Sequence, residues 1–428
     1  MSILDARESR RAHINTLEEE HPNKTVVILK TNVVGANKNL PYMAFICRHY
    51  SKIIASTFQD KILLMGHQLS LDGDYCYFVI DENGLLVKRK MIEIEESNTL
   101  GRLIDIDVYN NKSYSRTDLS EARRKCLLCE NEAVICARTK AHSEAEIKQE
   151  MKSIVQRYLY DYILNITMRS IYNELELYPK FGLVSHIDSG CHTDMDYETF
   201  LKSAFAIKKY MGDYINAGFE ESMDISHLIK TGLKAEKRMF DVTQNVNTYK
   251  GLIFLLGLFL PSITQTIILD EDTEYLVNQI KHIASTVIGD YYVSLSSKKK
   301  HSHSDKIYLE HGIKGIREEA LNGLKIIFSL PSLDLNDDAS YYNYLFLLMR
   351  DLNDTTIIHK TNIATLKEVQ QEMAEFMAKG GYEKNKEYIN QLSESYKERN
   401  ISPGGSADML IIKLIYENLK SLIRKGEA

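Results

Sequence analysis

Between Thr25 and Val33 the chain reads TVVILKTNV, a short β-branched apolar run of the kind that forms a buried strand. YCYFVID at Tyr75–Asp81, followed by Glu-Asn-Gly, predicts a strand running into a turn. LIDIDVY at Leu103–Tyr109 predicts a third strand, apolar on one face and acidic on the other. After about residue 120 the texture changes. Apolar residues then recur at three- and four-residue spacing almost to the end, as in EIKQEMKSIVQRYLYDYILNITMRSIYNEL, which predicts amphipathic helices. No repeat and no Pro/Gly linker separates the two textures. The pattern predicts an α+β N-terminal domain followed by a larger all-α domain. The boundary is expected in the charged helical stretch Glu144–Lys152, giving domains of residues 1–148 and 149–428.

Composition narrows the class. A chain of 428 residues exceeds one ordinary core, in keeping with two domains. With 44% hydrophobic and 26% charged residues it reads as a soluble globular protein. A formal net charge of -6 argues against a general nucleic-acid binder, while leaving room for local basic phosphate pockets. The N-terminal MSILDARESRRAHINTLEEEH lacks the apolar core of a secretory signal. The longest apolar run, Leu252–Leu260, ends at Pro261, well short of the roughly 18 residues of a membrane span. No membrane partner is therefore expected. Six cysteines without a secretory signal are expected to be reduced thiols or ligands in a cytoplasmic protein.

Several segments offer chemistry. On a strand, Asp105 and Asp107 share a face, and such a pair suits a divalent cation holding a triphosphate. Gly101 would let phosphate approach the backbone, and Arg102 could pair with it; solvated acids on an edge strand are the structural alternative. Cys126, Cys129, Cys136 and His142 have the spacing C-x2-C-x6-C-x5-H, which resembles a zinc set. On a helical wheel, at about 100° per residue, the three thiols cluster and His142 falls opposite, so packed core cysteines fit that wheel better than zinc. His192, Asp194 and Asp196 alternate in a glycine-flanked segment that could hold Mg2+ and phosphate, although Asp194 or Asp196 could equally cap a helix. Asn247, Thr248, Lys250 and Gly251 open an apolar helix, a ready phosphate site without a Walker A pattern. EHGIKGIREEALNG frames Arg317 and Glu319 with glycines, and DLNDTTIIHK offers Asp354 and His359. In ISPGGSADML, Ser402 and Pro403 set a turn, Gly404 and Gly405 admit a ligand to the backbone, Ser406 is a natural N-cap, and Asp408 lies in the first helical turn. The low-complexity piece SLSSKKKHSHSDK at Ser294–Lys306 reads as a solvated loop.

The order of these segments carries a resemblance. LDARESR (Leu4–Arg10), LGRLIDIDVY (Leu100–Tyr109), YSRTDL (Tyr114–Leu119) and RRKCLLCENEAVICAR (Arg123–Arg138) resemble the phosphoribosyl-dephospho-CoA transferase of citrate lyase maturation over about residues 1–150. PKFGLV (Pro179–Val184), GCHTDMDY (Gly190–Tyr197), VNTYKGLIFLLG (Val246–Gly257), GIKGIREEALNG (Gly312–Gly323), NDTTIIHK (Asn353–Lys360) and ISPGGSADML (Ile401–Leu410) resemble triphosphoribosyl-dephospho-CoA synthase, in family order. Together they look like the fused, bifunctional form.

The resemblance implies a nucleotidyltransferase-like N-terminal fold and two linked reactions. In the C-terminal domain the 2'-hydroxyl of 3'-dephospho-CoA attacks C1' of the ATP ribose and adenine leaves. In the N-terminal domain a serine of the apo-acyl carrier protein, the gamma subunit of citrate lyase, attacks the α-phosphate of that product and pyrophosphate leaves. Asp105 and Asp107 are then expected to hold Mg2+, with Arg102 and Arg116 on phosphate. Asp194, Asp196, Glu319 and Asp408 are the acidic candidates of the second domain, Asp194 and Asp196 also as metal ligands. Asn247, Lys250, Arg317, Gly404, Gly405 and Ser406 are its candidate substrate contacts. The sequence departs from the synthase pattern at Phe181, Cys191, Thr193, Tyr249, Glu318 and Lys360–Asn362, which bears on synthase efficiency. The alternatives are maturation of malonate decarboxylase by the same chemistry, or a C-terminal domain that only binds nucleotide.

Overall fold

The computed structural model describes residues 2–295 and 301–424. Of the expected loop at Ser294–Lys306, residues 296–300 lie outside the described residues, while its two flanks are helical, ending one helix at Leu295 and opening another at His303. The N-terminal part holds a five-stranded antiparallel sheet. Its strands are β1 (Thr25–Thr31), β2 (Ile62–Gln68), β3 (Tyr75–Ile80), β4 (Ile104–Tyr109) and β5 (Ser113–Tyr114), in the order β2-β3-β1-β4-β5. The three strands expected from the sequence are the three central ones. The edges escaped notice for physical reasons. β2 is largely exposed and lacks apolar alternation, and β5 has two residues.

Four helices accompany the sheet: α1 (Ile3–Glu20), α2 (Pro41–Thr57), α3 (Gly84–Glu96) and the short α4 (Ala133–Thr139). A capping box starts α1, with Ser2 Oγ accepting from Asp5 N and Asp5 returning the bond to Ser2 N. Its Ile14 and Leu17 pack on Val26, Ile28, Tyr75 and Val79. Val27 and Leu29, pointing to the other face, are fully buried too. Burial on both faces explains why β1 reads as a continuous apolar run instead of an alternating one.

The remainder is helical, and no strand follows β5 among the described residues. It comprises α5 (Glu144–Glu176), α6 (Tyr197–Ala217), α7 (Ile225–Val242), α8 (Lys250–Ile268), α9 (Thr273–Leu295), α10 (His303–His311), α11 (Ile316–Leu321), α12 (Lys325–Ser329), α13 (Asp338–Asp351), α14 (Thr355–Lys360), α15 (Ile363–Ala378), α16 (Gly381–Lys384), α17 (Lys386–Glu398) and α18 (Gly404–Leu419). The chain divides into two compact units, Met1–Leu159 with Ile267–Asp270 and Ser421–Arg424, and the rest. The division falls inside α5, the helix that also contains the expected boundary at 148.

Pro261 does not end the apolar run. α8 continues through it, and hydroxyls of Ser262 and Thr264 donate to the carbonyls of Leu258 and Leu260 around the interruption. With 19 residues α8 is long and apolar enough to cross a membrane, but 78% of that window is buried in the fold, as in a core helix.

A charged cluster sits inside this apolar packing, with Glu417 bound by Lys413 and by the more exposed Lys420. Lys413 Nζ is 2.7 Å from Glu417 Oε1 one turn along α18, both nearly inaccessible, and it donates to the Ile327 carbonyl at 2.9 Å. Removing one partner strands a buried charge, whereas removing both does not. Glu417→Leu is therefore expected to cost about 3–5 kcal/mol. The double change Lys413→Met with Glu417→Leu should recover most of that loss in chemical denaturation.

Candidate functional site

In the first unit β4 buries Ile104, Ile106 and Val108 and leaves Asp105 and Asp107 half-exposed on the opposite face. Pairing with β1 sets Lys30 across from Asp105 and Ile28 across from Asp107. Lys30 Nζ lies 3.7 Å from Asp105 Oδ2. Burial and then the charge of Asp105 raise the pKa of Asp107, against the pull of Lys30, Lys88 and Arg10. Lys88 reaches in from α3 to donate to the Ile106 carbonyl at 2.7 Å, and its own pKa is lowered by burial. From α1, Arg7 and Arg10 both bind Asp72, at 3.0 and 2.8 Å, and Arg10 keeps a buried Nη1 without a hydrogen-bond partner. These cations were not among the sequence candidates. The signal was present, since Arg7 and Arg10 stand three apart in LDARESR and so share a helical face.

Arg102 and Arg116 are engaged within the fold. Arg116 bonds Glu95 and Glu96 at 2.6 Å each, while Arg124 bonds the same Glu95 at 2.5 Å. Buried Glu95 also accepts from Ile106 N at 3.1 Å, tying this strap to β4. Arg102 donates to the carbonyls of Lys125 and Cys126 at 2.7 and 3.0 Å. Gly101 serves a different end from the expected one. A Cβ there would lie 2.0 Å from the Glu95 carbonyl oxygen, so a close backbone crossing requires the glycine.

The wheel argument about the cysteines is corrected. Cys126 and Cys129 precede α4, only Cys136 is on it, and His142 follows it. The three thiols and the imidazole therefore do not share one helix, and the fold brings all four together.

In the second unit several landmark segments converge on Asp408. α18 begins at Gly404, two residues before Ser406, so Ser406 is not its N-cap. Instead its amide and hydroxyl donate to Asp354 Oδ2 at 2.9 and 3.2 Å. Asp354, buried at the start of α14, also accepts from Thr356 N at 2.9 Å. Its carboxylate thus occupies the helix end that Gly404 and Gly405 were expected to offer a ligand. Burial raises the pKa of Asp354, against these hydrogen bonds. One turn on, Asp408 faces α8, where a Cβ on Gly251 would come 2.2 Å from its Oδ2; Ile316 of α11 lines the same spot. Burial, Glu174 and Asp354 together raise the Asp408 pKa well above the ordinary carboxylate range. Glu174 is buried and paired with Lys180 at 2.8 Å, and Lys180 donates to the Val184 carbonyl as well. Tyr249 is buried with an unpartnered hydroxyl, and Glu174 and Asp408 help burial to raise its pKa.

The other candidates spread out. Asp194 is exposed, 3.9 Å from His192. Asp196 caps α6, accepting from Thr199 N at 2.9 Å, which is the structural role allowed for it above. Lys250 pairs with Glu236, and Asn247 Oδ1 accepts from Lys250 N at 3.2 Å. Arg317 lies over the Tyr291 ring and contacts Asp305 at 3.5 Å. Glu319 is half-buried, its pKa raised by burial, Glu318 and Asp351. Glu174 and Lys180 went unmarked in the sequence. Glu174 sits in the ordinary amphipathic pattern of α5 and gives no signal there, whereas Lys180 lies inside the PKFGLV landmark.

A family model described as ATP:dephospho-CoA triphosphoribosyl transferase matches residues 161–426. One described as apo-citrate lyase phosphoribosyl-dephospho-CoA transferase matches residues 1–158. The chain is 29% identical to a protein named CitXG from Haemophilus influenzae, over 97% of this chain and 95% of that one. It is also 29% identical to a CitXG protein from Leuconostoc mesenteroides subsp. cremoris, over 98% and 97%. A 2-(5''-triphosphoribosyl)-3'-dephosphocoenzyme-A synthase from Haemophilus ducreyi is 30% identical over 68% of this chain and 99% of its own length.

Lys360 supplies a local test of the electrostatics. Its Nζ is 3.3 Å from both ring nitrogens of His192, whose Nε2 is 3.1 Å from Ser402 Oγ. Burial, and then Lys360, lower the His192 pKa to about 4, against Asp194. Lys360→Met is expected to move it part of the way back toward 6.5, since burial persists. An NMR titration of the His192 ring in both proteins reads the shift, and an unchanged midpoint would contradict this account.

Proposed function

Because the chain belongs to the ATP:dephospho-CoA triphosphoribosyl transferase family, with a citrate lyase transferase region ahead of it, we propose that each half carries one of two successive reactions. The protein is a bifunctional transferase that makes and attaches the citrate lyase prosthetic group. ATP and dephospho-CoA are its substrates.

The observation that carries the assignment of the first step is the cluster of Asp408 against Gly251, with the free hydroxyl of Tyr249 beside it. We assign Asp408 as the proton-transfer group. The 2'-hydroxyl of dephospho-CoA loses a proton as its oxygen bonds C1' of the ATP ribose, and the departing adenine gains one. Once deprotonated, a carboxyl with raised proton affinity is a stronger base than an ordinary carboxylate. Gly251 leaves room for the Asp408 carboxylate itself, and the Tyr249 hydroxyl can orient a ribose oxygen. Glu174 and Lys180 position this group through charge. The product is 2'-(5''-triphosphoribosyl)-3'-dephospho-CoA.

The second step belongs to the β4 carboxylates on a nucleotidyltransferase-like sheet. Asp105 and Asp107 offer hard oxygen ligands on one face, and burial and then Asp105 raise the pKa of Asp107 despite Lys30, Lys88 and Arg10. They fit Mg2+, which when bound supplies charge neutralisation on the triphosphate. Lys30 and Arg10 are the nearby cations for phosphate oxygens. A serine hydroxyl of the apo-acyl carrier protein, the gamma subunit of citrate lyase, attacks the α-phosphate, and pyrophosphate leaves. We place the functional boundary in α5 and the enzyme in the cytoplasm, where six free thiols stay reduced.

Incubation with ATP, Mg2+ and dephospho-CoA should release adenine, and adding apo-acyl carrier protein should raise its mass by the prosthetic group. Asp408→Asn is expected to lower adenine release about 100-fold or more while transfer of preformed triphosphoribosyl product continues. Asp105→Asn should do the reverse, about 100-fold on mass gain with adenine release intact. Loss of both activities in either variant would contradict two separate sites.

A further inference from the structure

We propose that Cys126, Cys129, Cys136 and His142 form a structural zinc site that holds the loop beside β4. One ligand atom from each of the four lies within 4.8 Å of every other. Cys129 Sγ is 3.4 Å from Cys136 Sγ and 3.3 Å from His142 Nε2. A tetrahedral ion, with bonds of about 2.3 Å to sulfur and about 2.0 Å to nitrogen, sets its ligand atoms roughly 3.5–3.8 Å apart. Small side-chain movements therefore close the set around an ion. Three thiolates and an imidazole are soft ligands, suited to zinc and unsuited to Mg2+ or Ca2+.

The backbone around the cluster is built to present these atoms. Cys126 N donates to the Asn131 carbonyl at 2.7 Å and Ala133 N to the Arg124 carbonyl at 2.9 Å, closing a tight loop around Cys129. Leu128 N points at Cys126 Sγ from 3.5 Å, the kind of contact that stabilises a ligating thiolate. After Cys136, Lys140 turns left-handed at φ 51° and ends α4, while Ala141 N donates back to the Cys136 carbonyl. That reversal returns His142 to the thiols, which a continuing helix would not do.

The site has a mechanical connection to β4. Arg102 grips the carbonyls of Lys125 and Cys126, and Arg124 donates to the Ile104 carbonyl at 2.6 Å while bonding Glu95. An ion fixing this loop fixes the start of the strand that carries Asp105 and Asp107. Nothing in the two transfer reactions uses these thiols, so their role is positional.

The test is elemental analysis of the full-length protein purified under reducing conditions. One zinc per chain is expected. Replacement by Co2+ should give the intense visible absorption of a tetrahedral thiolate complex. His142→Ala and Cys129→Ser should lose the metal, and His142→Cys, which restores a fourth ligand, should retain it. Circular dichroism reports whether each variant is folded. Folded, reduced wild-type protein that takes up no zinc on incubation with a zinc salt would overturn the proposal. So would full zinc content in a protein with all three cysteines changed to serine.

Discussion

Asp354 is a carboxylate buried among apolar helices, and it survives there because the opening of α18 surrounds it with donors. The first amides of a helix have no acceptor within the helix, and a buried acid needs donors. Each solves the other's problem. The result locks the Ser402–Gly405 turn to the start of α14 and sets the rotation of α18, and with it the position of Asp408. The charge balance of the region follows. Burial, Glu174 and Asp354 raise the proton affinity of Asp408, and Lys180 is the buried cation that answers Glu174.

The first unit uses the same device with different parts. Glu95 is buried and does no chemistry, yet it binds Arg116, Arg124 and the Ile106 amide together. It fixes the strap that crosses beside β4 and so the strand that displays Asp105 and Asp107. In both units an acid saturated with hydrogen bonds fixes the element that carries further acids.

Much of this was legible in the sequence where local pattern and structure coincide. IDIDV announced a strand with two acids on one face, and the burial along β4 alternates accordingly. Edge strand β2 carried no such pattern, because an exposed edge imposes no alternation. The cysteine reading failed because it assumed a single helix, whereas the chain turns at Lys140. Arginines Arg102, Arg116 and Arg317 looked like phosphate ligands by type, yet each is engaged by internal carbonyls, acids or a ring. Residue type reports what a side chain can bind; the distant partner that reaches it first, such as Glu95 or Asp305, is set by tertiary packing. Asp354 and Ser406 are the clearest case, 52 residues apart and joined only when α14 meets α18.

Gly251 and Asp408 occupy adjoining volume, and the space a Cβ would need at 251 is already held by the carboxylate. The two positions are therefore coupled. A larger residue at 251 is compatible only with a shorter or absent acid at 408. Enlargement at 251 alone meets a steric barrier before it meets a chemical one. The constraint runs one way: the acid holds position 251 to glycine, whereas glycine places no such demand on 408.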